Sequence, residues 1–258
     1  MKINKSNCLV IVPARFASSR FPGKPLAFLH GKTVIERVVT QVKKSGIDCV
    51  VATDDKRIAE NVESFGSKYV LTSPDHQTGT DRIAEALSHL STNAEIIINV
   101  QGDEPFILPY QILALANCFE NKDIQIATLI KKFNSDTDID VIRNPNIVKV
   151  VVDNSFNALY FSRSVIPYVR NYNDTEWVRH SVFYRHIGTY AFRREVLNKL
   201  VNLSPTSLEK AESLEQLRWL QSGYSIKTVV TDSNTISIDT PEDLVKAEKF
   251  ISTNSELF

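Results

Sequence analysis

Pro13-Ala14-Arg15-Phe16-Ala17-Ser18-Ser19-Arg20-Phe21-Pro22-Gly23-Lys24-Pro25-Leu26 and the shorter Gln101-Gly102-Asp103-Glu104-Pro105 decide the fold. Each directly follows an apolar run rich in β-branched residues, Leu9-Val10-Ile11-Val12 before the first and Ile96-Ile97-Ile98-Asn99-Val100 before the second. Runs this short and apolar predict buried strands of a parallel sheet. In open sheets of that kind, ligands sit beyond the carboxyl ends of the strands. One strand end then offers Arg15, Arg20 and Lys24 on a loop bent by Pro22, Gly23 and Pro25; the other offers Asp103 and Glu104. Either loop alone is commonplace, a solvated basic turn or an acidic one. Together they suit a metal-bound polyphosphate, which needs direct contacts to phosphate oxygens and hard ligands for a divalent ion. The pair predicts a nucleoside-triphosphate site.

Strand and helix signals alternate through the first half. Val34, Ile35, Val38, Val39 and Val42 mark one face of a helix closed by Gly46. Residues 49–53 predict a second strand, then a helix capped by Asp54 or Asp55, with Ile58, Ala59, Val62 and Phe65 apolar and Gly66 at its end. A short strand at 69–71, a polar loop at 73–79 and a helix from about Thr80 come next. The 96–100 strand, a helix over about 109–119 and a strand near 124–130 complete the pattern. This spacing predicts βαβ units on a mostly parallel, Rossmann-like α/β sheet flanked by helices.

The second half is less regular. It predicts added strands at 147–152, 158–161, 187–192, 227–230 and 236–238, a polar loop over 170–179 and a helix over 208–220. A last helix begins with Thr240 as N-cap and Pro241 at its first position. Without a linker, repeat or low-complexity tract, one domain over 1–258 is expected, with 1–130 as a nucleotide-binding half and 131–258 adding strands and a substrate lid.

At 258 residues the chain can bury a sizeable core. Its 30 basic and 30 acidic residues leave no global field for nucleic acid, so phosphate recognition has to be local. Cys8, Cys49 and Cys118 are odd in number, far apart and set in apolar stretches, which suits reduced core residues of a cytosolic protein. The apolar run near the amino terminus is too short for a signal peptide, and none approaches the roughly 20 residues that span a bilayer. A soluble, cytoplasmic protein is expected.

Several motifs fail on spacing. Gly31-Lys32-Thr33 lacks the glycine that a P-loop places five residues earlier, where Leu26 stands. No Gly-x-Gly-x-x-Gly occurs among the eight glycines, and the five histidines include no pair at metal-ligand spacing on a helix. Asp136-Thr137-Asp138-Ile139-Asp140 contains an Asp-x-Asp, a metal motif of many glycosyltransferases, but it follows Lys131-Lys132-Phe133-Asn134 rather than a clean strand.

Over about residues 9–250 the chain resembles the 3-deoxy-manno-octulosonate cytidylyltransferases, the CMP-Kdo synthetases of lipopolysaccharide assembly. The resemblance rests on residues 13–26, Ala52-Thr53-Asp54, Asp75-His76-Gln77-Thr78-Gly79-Thr80-Asp81-Arg82 and Val100-Gln101-Gly102-Asp103-Glu104-Pro105. More specific are Ala158-Leu159-Tyr160-Phe161-Ser162-Arg163, Arg185-His186-Ile187-Gly188-Thr189-Tyr190, Leu214-Glu215-Gln216-Leu217-Arg218 and Ile238-Asp239-Thr240-Pro241-Glu242-Asp243-Leu244. Residues 13–26 are shared more loosely by many sugar nucleotidyltransferases. Thr189, where a larger apolar residue is common, is a conservative departure.

The resemblance implies transfer of a cytidylyl group from CTP to 3-deoxy-D-manno-octulosonate (Kdo), with Arg15, Lys24 and Asp103 catalytic. It implies that Arg15 and Lys24 hold the triphosphate, that Pro13, Ala14, Arg15, Thr78, Gly79 and Arg82 frame the nucleotide, and that Asp103 and Asp239 hold Mg²⁺. Arg163 would take the sugar carboxylate, and Gln101, His186, Tyr190, Glu215 and Gln216 its hydroxyls. The family is dimeric, so a homodimer is implied too. On the residues alone, Asp239 is better read as a neighbour of a helix cap, Glu215 and Gln216 as a solvated helix face, and His186 as a satisfied strand residue. A different sugar substrate, a glycosyltransferase using residues 136–140, and a non-catalytic nucleotide-binding module also stay open at this point.

Overall fold

In the computed structural model, residues 4–18, 20–233 and 236–254 are described; Ser19 of the first decisive stretch lies outside them. Strand β1 (Cys8–Ala14) is buried along its length. Its side chains alternate between two cores, Val10 and Val12 in one, Leu9 and Ile11 in the other, as a strand covered on both faces requires. A hairpin, β2 (Phe28–Leu29) and β3 (Lys32–Thr33), precedes α1 (Val34–Lys44), β4 (Asp48–Thr53), α2 (Lys56–Ser64), β5 (Lys68–Leu71) and α3 (Gly79–Ser88). Then come β6 (Ile96–Asn99), α4 (Pro109–Cys118), β7 (Ile126–Lys132), α5 (Ile139–Arg143), β8 (Lys149–Val152), β9 (Ala158–Ser162) and α6 (Trp177–His180). The chain continues with β10 (Tyr184–Arg193), α7 (Arg194–Leu200), α8 (Ser207–Glu212), α9 (Gln216–Gln221), β11 (Ile226–Val230) and α10 (Pro241–Thr253).

Among the described residues nine strands form one sheet, in the order β11-β7-β10-β6-β1-β4-β5, with β8 and β9 attached beside β10. Strand β1 runs parallel to β4 and β6, and β7 parallel to β11. Strand β10 is the exception, antiparallel to both β6 and β7 between which it lies. The second half of the chain is thus woven into the sheet of the first. Helices α1, α2 and α4 pack on one face through Val38, Ile58 and Leu115, and α3, α7 and α9 on the other through Ile83, Leu197 and Leu217. A third cluster seats α10 on the hairpin, Phe106 meeting Phe250 edge-on at 4.9 Å. No described helix is long and apolar enough to cross a membrane.

The structure corrects the sequence reading in three places. The 170–179 loop contains a 3₁₀ turn, Asp174–Glu176, running into α6, whose Trp177 packs edge-on against Tyr168. Residues 236–238 join no ladder; Ile238 N–H donates instead to the Asp103 carbonyl at 2.9 Å. The helix expected over 208–220 is two, α8 and α9, because Ser213 adopts a left-handed conformation with φ 52. Two short helices, α5 and α7, had no clear periodicity to announce them.

A non-glycine residue in left-handed conformation costs about 1–2 kcal/mol, against about 0.5–1 kcal/mol for the extra freedom glycine loses on folding. Ser213→Gly should therefore raise stability by about 0.5–1 kcal/mol. The denaturation midpoint checks this, and a clear fall would contradict the role given to that turn.

Candidate active site

At the carboxyl end of β1 the chain turns through the first decisive loop. The Phe16 carbonyl accepts from Ser18 N–H and Gly23 N–H, both at 2.9 Å, which folds the loop back on itself. Gly23 has φ +71, and a Cβ there would also press on the Phe16 ring at 3.0 Å. Arg57 stacks over the other side of the loop, 3.4 Å from the Phe16 centroid. A single 3₁₀ turn, Lys24–Leu26, with Pro25 buried within it, then directs Lys24 inward.

The carboxyl end of β6 lies beside it. Gly102 N–H donates to the Pro13 carbonyl at 3.2 Å, and a Cβ on Gly102 would come within 2.8 Å of that same oxygen. Only a glycine lets the two loops approach so closely. Asp103 Oδ2 then accepts from Lys24 Nζ at 2.5 Å, and Asp239 Oδ1 accepts from the same ammonium at 3.1 Å. Arg20 also pairs with Asp239, at 3.2 Å. Burial works against the Lys24 charge, but the two carboxylates outweigh it and hold the ammonium above its ordinary range.

Asp239 reaches this point through two devices. Its preceding residue, Ile238, is tied to the Asp103 carbonyl, and Thr240 caps α10 in a capping box with Asp243. It is thus a neighbour of a helix cap and a member of the acidic pair at once. Glu104 departs from what the sequence suggested. It turns inward and is 9% exposed; burial, reinforced by Asp103, pushes its carboxyl up to about 8. Of the two adjacent acids, Asp103 lines the cleft and Glu104 does not.

The third wall is the start of α3. Thr78 caps the helix with Asp81, and Gly79 sits so close to Pro13 that a Cβ would meet its ring at 3.3 Å. Arg82, 3% exposed, donates to Asp54 Oδ2 at 2.9 Å and to Thr72 Oγ1 at 2.6 Å, which fixes its guanidinium beneath the cleft. The enclosed space is about 210 Å³ and is lined by every residue expected to hold nucleotide: Pro13, Ala14, Arg15, Lys24, Thr78, Gly79, Arg82 and Asp103. Gln101 and Asp239 line it as well, as do Ser18, Arg20, His76 and Gln77. Ser18, His76 and Gln77 lie within the stretches 13–26 and 75–82, where the sequence reading assigns them no role.

The remaining expected residues lie behind this cleft. His186 Nε2 and Thr128 Oγ1 share a hydrogen bond at 2.9 Å, and burial, with Arg185 adding repulsion, pushes His186 down to about 3, so its ring is neutral. Tyr190 packs 5.3 Å from that ring and pairs with Asn99 across the sheet; Asn99 Oδ1 in turn accepts from Gln101 Nε2 at 3.0 Å. Glu215 Oε2 accepts from Thr80 Oγ1 at 2.8 Å, and burial raises its carboxyl to about 7. Gln216 is 5% exposed at the start of α9, so neither residue belongs to a solvated helix face. Arg163 does not line the cleft; its guanidinium donates to the carbonyls of Pro145, Glu212 and Ser213. The acids at 136–140 lie outside the cleft, where Asp138 caps α5 and Asp140 pairs with Arg143.

A glycine-framed cleft at the carboxyl edge of a doubly wound sheet, with cations facing paired acids, defines a nucleotidyltransferase. Residues 9–229 match the cytidylyltransferase family model. The 3-deoxy-manno-octulosonate cytidylyltransferase of Bacteroides thetaiotaomicron is 52% identical over 96% of this chain and 99% of its own length. That of Porphyromonas gingivalis is 49% identical over 94% and 96%. A solved CMP:2-keto-3-deoxy-manno-octonic acid synthetase, complexed with CTP, superposes with a TM-score of 0.87 at 37% identity, covering 96% of this chain and 99% of that one. The chain belongs to the 3-deoxy-manno-octulosonate cytidylyltransferase family.

Gly102→Ala tests the close approach of the two loops. The added methyl has backbone in its way, so stability should fall by about 1–3 kcal/mol. Affinity for CTP should fall with it. Unfolding and CTP titration measure both; an unaltered variant would contradict the geometry.

Proposed function

We propose that this chain transfers the cytidylyl group of CTP to the anomeric hydroxyl of Kdo, releasing pyrophosphate and giving CMP-Kdo for lipopolysaccharide assembly. The observation that carries the reaction type is the convergence of Lys24 with Asp103 and Asp239 inside the glycine-framed cleft. The names of the relatives supply the base and the sugar.

Attack at the α-phosphorus is an in-line displacement, in which positioning and neutralisation of phosphate charge carry most of the catalysis. Arg15, exposed in the cleft, and Lys24 would bind the triphosphate; Thr78 and Gly79, with the backbone of Pro13 and Ala14, would frame the cytidine beside the braced Arg82. Asp103 and Asp239 fit Mg²⁺, because two carboxylates already converge on one cation and this ion commonly takes one or two carboxylates plus phosphate oxygens and water. When bound, the ion would offset phosphate charge and lower the pKa of a hydroxyl it coordinates.

The sugar acid would lie against Gln101, His186, Tyr190, Glu215 and Gln216. Neutral His186 and the Tyr190 hydroxyl can exchange hydrogen bonds with sugar hydroxyls. Arg163 uses three of its N–H groups on carbonyls and so retains two for a carboxylate. The family resemblance supports a homodimer working in the cytoplasm.

Pyrophosphate release from CTP and Mg²⁺ tests the reading. It should depend on Kdo and not on sialic acid; release with sialic acid alone, or none with Kdo, would overturn it. Arg163→Ala should weaken use of the sugar selectively. A charge-assisted bond of about 1.5–3 kcal/mol corresponds to roughly 10- to 150-fold, with the CTP constant nearly unchanged. Separate Michaelis constants decide it, and equal loss for both substrates would contradict the assignment.

A further inference from the structure

Lys149 is an uncommon object in this fold, a lysine in a strand with no exposed surface. A buried ammonium is tolerated only when its donors are satisfied. Here Nζ donates to the carbonyls of Asn144 at 3.1 Å, Ile147 at 2.7 Å and Arg163 at 2.5 Å. Three N–H groups meet three acceptors, the full complement of an ammonium. Burial still lowers its proton affinity, and Glu212 is the acid that opposes this.

Glu212 closes the other side of the same knot. Its Oε1 accepts from Ser162 Oγ at 2.6 Å and its Oε2 from Arg163 N–H at 2.9 Å. Its carbonyl accepts from Arg163 Nε at 2.6 Å, and Ser213 O accepts from Arg163 Nη2 at 3.3 Å. Arg163 is therefore gripped through its own N–H by Glu212, through its own carbonyl by Lys149, and through its side chain by the turn at 212–213. That turn, in left-handed conformation at Ser213, delivers Glu215 and Gln216 two and three residues later. None of these bonds reaches the nucleotide cleft, where the α3 cap is secured separately by Asp81.

We propose that Lys149 and Glu212 are positioning residues for the sugar-acid half of the site, holding Arg163 and the Ser213 turn so that Arg163, Glu215 and Gln216 face one substrate. The inference rests on the sugar-site assignment above. Neither residue need touch substrate; both act through Arg163.

Glu212→Gln is the sharper test, because it removes the charge behind both bonds and leaves a single amide oxygen, which can accept from Ser162 Oγ or from Arg163 N–H but not from both. In the full chain the sugar Michaelis constant should rise about 10-fold, the equivalent of about 1.4 kcal/mol, while that for CTP stays within about twofold. Lys149→Met should shift the same constant in the same direction. Lys149→Arg should not rescue it, since a planar fork cannot replace a point donor among three carbonyls. Should the lysine variants fail to fold, Glu212→Gln decides alone, with its melting temperature recorded beside the kinetics. An unchanged sugar constant in folded Glu212→Gln, or equal loss for CTP and sugar, overturns the proposal. Absence of Kdo-dependent turnover in the unaltered enzyme would instead overturn the function assigned above.

Discussion

One ammonium organises this molecule. Lys24 holds Asp103 and Asp239, which lie 79 and 215 residues further along the chain, within hydrogen-bond distance of a single nitrogen. Two carboxylates so placed repel each other unless a cation stands between them. The rest of the fold serves that convergence: β1 and β6 bring their loops side by side, Gly102 lets the backbones touch, and α10 is docked through Phe106 and Phe250 so that Asp239 arrives from the far end of the chain. The site is a property of the whole tertiary structure, even though two short loops announce it.

Those loops were legible because strand, turn and charge signals coincide in them. The run at 9–12 reads as a buried strand, and Pro22, Gly23 and Pro25 mark the turn that follows it. Helix α2 was legible from a cap and an apolar stripe together, α1 from its stripe and closing glycine, and α10 from its cap and first-turn proline. The sequence could not reveal that β10 would enter the sheet antiparallel between β6 and β7. A strand's side-chain pattern reads the same in either direction, and the partners of β10 lie far away in the chain. Nor could it show Glu104 turning inward, since Asp103 and Glu104 are adjacent acids whose exposure is decided by packing.

The second half was harder to read because its order depends on side-chain bonds rather than periodicity. The 208–220 segment has helical spacing throughout, yet bonds from Arg163 to the Glu212 and Ser213 carbonyls occupy acceptors at the break between α8 and α9. Likewise Lys149 interrupts an apolar strand without exposing itself, because loop carbonyls supply its partners. Such polar knots contradict local propensity and concentrate where a substrate has to be met.

The central claim is that Asp103 and Asp239 converge to hold a metal-bound triphosphate, not merely to pin a lysine and cap a helix. A magnesium titration of Kdo-dependent pyrophosphate release, made on Asp239→Asn beside its melting temperature, tests it most directly. The account predicts a large loss of turnover at ordinary magnesium, partly recovered at high magnesium, with little change in melting temperature. Near-normal activity at ordinary magnesium together with a clear drop in melting temperature would contradict it.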